Sequence, residues 1–165
     1  MVLQELRPPR GGGTSIQRFK ITPTITAGAY SANDVIGGRL EFVGFQKGTL
    51  QSITICDNAN QSVDYILVFF ESQPTDIADN AAGDVADADL DKIIYNDSLL
   101  DSSDKKAFVD NSFVFLYNLD VPMRGDESNI WAFLITTGTP TYAATSDITI
   151  TIQVETTGKR SGLSA

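Results

Sequence analysis

Along most of the chain, apolar and polar side chains alternate with the period of two that half-buried strands require. "FKITPTIT" puts Phe19, Ile21, Pro23 and Ile25 on one face and Lys20, Thr22, Thr24 and Thr26 on the other. Pro23 has no N–H to give a ladder, so this strand is expected at a sheet edge. "DITITIQVE" alternates without a fault, with Ile148, Ile150, Ile152 and Val154 facing inward. "GRLEFVGF" and "LQSITIC" predict two further strands, and the second loses register between Leu50 and Ile53, as a β-bulge would make it. The turn-rich "DNANQ" then predicts a hairpin connection into "SVDYILVFFES".

Three strands break the pattern. "VDYILVFF" (Val63 to Phe70), "FVFLYNL" (Phe113 to Leu119) and "NIWAFLI" (Asn129 to Ile135) are apolar on both faces. A strand in a lone two-sheet sandwich should keep one wet face. Something must cover the second one, either the acidic stretch of the same chain or another subunit, and association into a homo-oligomer, a trimer by preference, is expected. The residues that would carry such contacts are Ile66, Val68, Phe70, Trp131, Phe133 and Ile135.

The stretch from Thr75 to Lys106 has no strand alternation, and within it "DADLDKII" fits one helical turn with aspartates against the N-terminal dipole. The fold expected is all-β: seven or eight strands in an antiparallel, jelly-roll-like β-sandwich around one long acidic insertion. A single domain spans 14–156. Before it stands an arm of thirteen residues whose "RPPRGGG" joins stiff prolines to loose glycines, and 157–165 form a polar tail.

Composition narrows the function classes. With 165 residues, 42% of them hydrophobic, the chain is long enough to bury a core. Its net charge of −9 argues against a nucleic-acid partner, which calls for a lysine and arginine excess. "MVLQELRPPRGGG" has no apolar h-region, so no secretory signal is expected, and no run approaches a membrane span. One cysteine, Cys56, allows no internal disulfide and reads as a small hydrophobe at a strand end.

Candidate chemistry is sparse. "DNAAGDVADADLDKII" gathers five aspartates in sixteen residues. A calcium loop opening at Asp87 would need glycine at its sixth position and glutamate at its twelfth, where Lys92 and Ser98 stand. An irregular site from Asp84, Asp87, Asp89 and Asp91 is the alternative, and a solvated acidic loop is the expectation. No metal and no cofactor is expected. The chain has no histidine, which removes histidine-based triads and histidine-ligated zinc. Asp64 and Glu71 flank an apolar strand, where a glycosidase pair would be conceivable and strand-rim charges are the simpler reading. Catalytic residues are therefore expected to be none. Trp131 and Tyr142 are the aromatic candidates for a contact surface such as a sugar platform. Core packing is the simpler reading of Trp131, which lies inside an apolar strand, and Tyr142 in the loop "TTGTPTYAATSD" is the more exposed by expectation.

"ITPTITAGAYSANDVIGGRLEF", "DNAAGDVADADLDKII" and "ITTGTPTYAATSDITITIQVE" together resemble a group of small proteins encoded among the virion genes of tailed bacteriophages and prophages. The resemblance covers Ile21 to Glu155, and the arm lies outside it. It implies a virion structural role without catalysis, a decoration (cement) protein on the outer surface of the head whose partner is the major capsid protein. A tail or head-fibre module, or a stand-alone carbohydrate-binding module, is the alternative. The arm, with Arg7, Pro8, Pro9 and Arg10, is expected to be dispensable for folding and to help attachment, since Arg7, Arg10, Arg18 and Lys20 concentrate positive charge near one end of an acidic protein.

Overall fold

The alternation resolves into strands in the computed structural model, which describes residues 14–45, 47–61, 63–100, 105–126 and 128–157. In chain order these are β1 (Thr14–Ile21), β2 (Val35–Val43), β3 (Lys47–Asp57), β4 (Tyr65–Phe70), β5 (Ile93–Leu100), β6 (Lys106–Ala107), β7 (Ser112–Arg124), β8 (Asn129–Thr136) and β9 (Ile148–Thr157). One short 3₁₀ helix, Asp87–Lys92, stands before β5. Two antiparallel sheets result, one ordered β1-β9-β3-β7-β6 and the other β2-β8-β4-β5. The protein is an all-β sandwich.

The pairings are nested. β4 pairs with β5, β3 with β7, β2 with β8, and β1 with β9, each pair enclosing the previous one in sequence. Two further ladders, β9 with β3 and β8 with β4, stitch these pairs into the two sheets. β1 is an edge strand as Pro23 implies, and Pro23 falls just past its end. The alternation outlasts the ladder: Pro23 and Ile25 are buried and Thr22, Thr24 and Thr26 exposed.

Inward positions fill the space between the sheets. Ile148, Ile150, Ile152 and Val154 of β9 join Leu50, Ile53 and Ile55 of β3 against Leu40, Phe42, Leu67, Phe69 and Leu134, all in one buried cluster. Each such side chain contributes on the order of 2 kcal/mol by leaving water. The slip in "LQSITIC" is a real bulge. Tyr117 faces Ser52 and Val121 faces Leu50, so Asn118, Leu119 and Asp120 stand opposite Gln51 alone. Asn118 and Asp120 take φ values of 57° and 49° there, a region that Asn and Asp tolerate better than most side chains. β2 is irregular between Ile36 and Leu40, where Gly37 has φ +79° and a Cβ would come within 2.4 Å of Pro23 Cβ.

Three expectations need correction. The insertion expected from Thr75 to Lys106 is shorter, because β5 (Ile93–Leu100) lies within it and pairs with β4, whose ladder supplies the order that its side-chain alternation does not. "DNANQ" does not close a hairpin, because β3 and β4 lie in different sheets and the chain crosses between them. A turn composition fixes that the chain bends, and leaves open where the next strand pairs. The third concerns the outer face of the four-stranded sheet. Val35, Val68, Phe70, Trp131, Phe133 and Ile135 form a second buried cluster there, with Ile77 and Val85 of the acidic segment packed onto it. The chain's own 71–92 segment is the cover, so β4 and β8 give no reason for a second subunit.

Candidate binding face

β7 carries aromatic residues at every second position. Val114 and Leu116 point into the core, which turns Phe113, Phe115 and Tyr117 onto the outer face of the five-stranded sheet. Phe115 keeps 42% and Tyr117 65% of its surface in water, their rings stacked with centroids 5.8 Å apart. Phe108, 63% exposed, stacks on Phe113 at 6.0 Å, beside Val109 at 91%. Lys106, Phe113, Phe115, Leu116 and Tyr117 line an open hollow of about 600 Å³. A contiguous exposed patch of large apolar rings is a candidate contact surface.

The register across the sheet gives the rest of the face. Phe113 lies beside Cys56 and then Thr149, Phe115 beside Thr54 and Thr151, Tyr117 beside Ser52 and Gln153. Thr151 pairs with Lys20 and Gln153 with Arg18 on β1. Beyond the β3 bulge, Arg124 pairs with Lys47. The face thus runs from aromatic rings on β7, through a threonine- and serine-rich middle, to exposed Ile16, Arg18 and Lys20 at the β1 edge. Three strand steps, about 14 Å, separate the two margins.

The aromatic residues singled out by sequence lie elsewhere. Trp131 is only 5% exposed beneath the acidic cover, and Tyr142 only 2% exposed in the core, so neither offers a contact surface. Core packing, the simpler reading of Trp131, is what its apolar strand gives it, and the expectation of an exposed Tyr142 is overturned by its burial in the core. The Tyr142 hydroxyl shares a 3.0 Å hydrogen bond with that of Tyr65, which donates at 3.5 Å to Asp57. Burial pushes both phenols well above the ordinary range, so neither serves as a base. Arg7, Pro8, Pro9 and Arg10 lie outside the described residues.

The aspartate-rich segment is an anchored cover. Asp79 accepts hydrogen bonds from Thr26 N–H and Oγ1 at 2.6 Å, from Tyr30 OH at 2.7 Å and from Gly37 N–H at 2.6 Å. Asp89, buried under the 3₁₀ helix, accepts from Lys92 Nζ and from Thr75 N–H at 2.7 Å. The Lys92 bond, then that from Thr75, holds the Asp89 carboxyl down to about 2. Asp84, Asp87 and Asp91 stay exposed, and no group of three or more His, Cys, Asp or Glu among the described residues converges to hold a metal. Asp64 and Glu71 stand at opposite ends of the six-residue β4. Their backbones are about 23 Å apart, more than twice the span a glycosidase pair allows.

Elsewhere carboxylates tie loops down. Asp57 accepts from Ala59 and Gln61 N–H at 2.8 and 2.7 Å, and Lys105 Nζ lies 3.6 Å from it, both side chains buried. Asp147 holds Ala143 and Ala144 N–H in the same way. No protein-family model, curated protein or solved structure matches this chain.

Proposed function

We propose that this is a bacteriophage virion structural protein, a decoration protein that attaches to the outside of the assembled head and stabilises it by binding alone. The observation that carries an attachment role is the aromatic strip of exposed Phe108, Phe115 and Tyr117 with half-buried Phe113, on a sheet face that the described segments leave open. The resemblance to virion proteins supplies the partner, the major capsid protein. A rigid face built on β-strands suits repeated attachment to a lattice, since little conformational entropy is lost on docking.

We read the sandwich as a jelly roll. The support is the nesting of four antiparallel pairs folded into two sheets, with the two-residue β6 as a small addition at one edge. Jelly rolls are frequent among capsid and lectin domains, so the architecture agrees with a virion role and does not by itself select it.

Quantitative densitometry of purified particles tests the reading. A decoration protein is present in high copy, on the scale of the capsid subunits, whereas a few copies per particle would make it a tail or fibre part. Co-sedimentation with undecorated capsids should fail for Phe115→Ser/Tyr117→Ser and persist for Leu90→Ser, an exposed apolar position on the acidic cover. A free protein that binds a glycan array and ignores capsids would favour the carbohydrate-binding alternative.

A further inference from the structure

We propose that the outer face of the five-stranded sheet docks onto an acidic protein surface, its aromatic strip seated among carboxylates that pair with Arg18, Lys20, Lys47, Lys106 and Arg124. This rests on the attachment reading and adds the chemistry of the partner. The argument is one of charge placement. The chain has 12 basic and 21 acidic residues. Outward positions of these strands nevertheless hold those five bases, while Glu155 is the outward acid of the ladders and Asp110 and Asp120 stand at the rim on the β6–β7 turn and the β7 bulge. At the ends of the face Glu41 lines a hollow with Arg18 and Lys20, and Glu71 and Asp126 line one with Arg124.

The other described bases are committed inside the molecule: Arg39 to Asp76, Lys92 to Asp89 and Lys105 to Asp57. The five on the sheet face form no ion pair among the described residues. The opposite face, over the four-stranded sheet, carries the aspartate-rich cover. The protein is therefore dipolar. Among the described residues, the bases without an ion pair share one surface with the exposed rings, so that surface is richer in positive charge than the rest of the chain.

A second copy fits this face poorly. A two-fold pairing sets the same bases against each other. Stacking the face on another copy's acidic cover is head-to-tail and continues into a filament unless the rotation closes it. Nucleic acid fits less well than protein, because a −9 chain repels a long polyanion beyond the few ångströms of contact.

Two measurements on the full chain test this. The first is retention on a carboxymethyl matrix at pH 7 and low salt. The wild-type protein should be retained despite its net charge of −9, and Arg18→Gln/Lys20→Gln/Lys106→Gln should elute unretarded. Equal elution overturns the inference. The second is affinity for undecorated capsids at low and high salt. The triple variant should bind roughly tenfold more weakly at low salt, and wild-type affinity should fall as salt screens the contacts. Capsid binding insensitive to salt and to the substitutions overturns the inference and leaves the attachment reading standing. No capsid binding by wild type, with face-dependent retention on the matrix, supports the inference and overturns that reading. Tighter capture by single-stranded DNA than by the carboxylate matrix, or a dimer abolished by the three substitutions, also overturns it.

Discussion

Asp79 receives donors from Thr26 and Tyr30 in the loop after β1 and from Gly37 in β2, and so joins the start of the acidic segment to both. Its carboxylate is structural. Asp79→Ala leaves those donors without their shared acceptor, and a charged hydrogen-bond acceptor of this kind contributes on the order of 2–3 kcal/mol. A fall in Tm of roughly 5–10 °C is expected for a domain of this size. Asp84→Ala, at an exposed position, should leave Tm within about 1–2 °C. Equal effects from the two would refute the anchoring role. Sequence could not separate these aspartates, which share one composition and differ only in the donors that folding brings to them.

A second residue-scale contrast concerns the pair under the β3–β4 crossing. Asp57→Ala removes the acceptor of two loop N–H groups and strands the buried Lys105 ammonium. Breaking a buried pair in that way costs about 3–5 kcal/mol. Lys105→Met should cost less, because Asp57 keeps its Ala59 and Gln61 donors. Urea denaturation of both variants checks the order, and a reversed order contradicts the arrangement.

At the scale of elements, the acidic segment is a cover over Trp131 and its neighbours, closed on itself by a latch in which Asp89 accepts from Lys92 and from Thr75 of the same segment. The Asp89 carboxyl titrates at about 2 in the fold against 3.8 ordinarily. A depressed folded pKa means the latch contributes fully above the ordinary value and is lost as pH falls through the folded one. Acidification from about pH 4 to about pH 2 should therefore loosen the cover and red-shift Trp131 emission, while Asp89→Asn should lack that step. An unchanged pH profile in the variant would contradict the latch.

Much at this scale was legible in advance. The inward faces of β9 and β3, the edge position of β1 and the bulge near Leu50 follow from side-chain alternation and one proline. Sheet membership did not follow, since the turn residues of "DNANQ" serve a sheet crossing as well as a hairpin. Three doubly apolar strands looked equivalent for the same reason. The 71–92 segment leaves β4 and returns to β5, both in the four-stranded sheet, so it covers β4 and β8 and, among the described residues, β7 stays open. The regular spacing of Phe113, Phe115 and Tyr117, with Lys106 beside them, was the signal for the binding face.

For the whole molecule, the two outer faces of the sandwich have opposite characters. One is sealed by an acidic segment of the same chain, and the other presents aromatic rings, threonines and bases that form no ion pair among the described residues. The proposed attachment role requires that the second face, and not the first, meets the partner. Hydroxyl-radical footprinting of the protein free and bound to undecorated capsids reads this directly. Binding should protect Phe108, Phe115 and Tyr117 while leaving Leu90 on the acidic cover as reactive as before. Protection of Leu90 with Phe115 and Tyr117 still reactive would contradict the account.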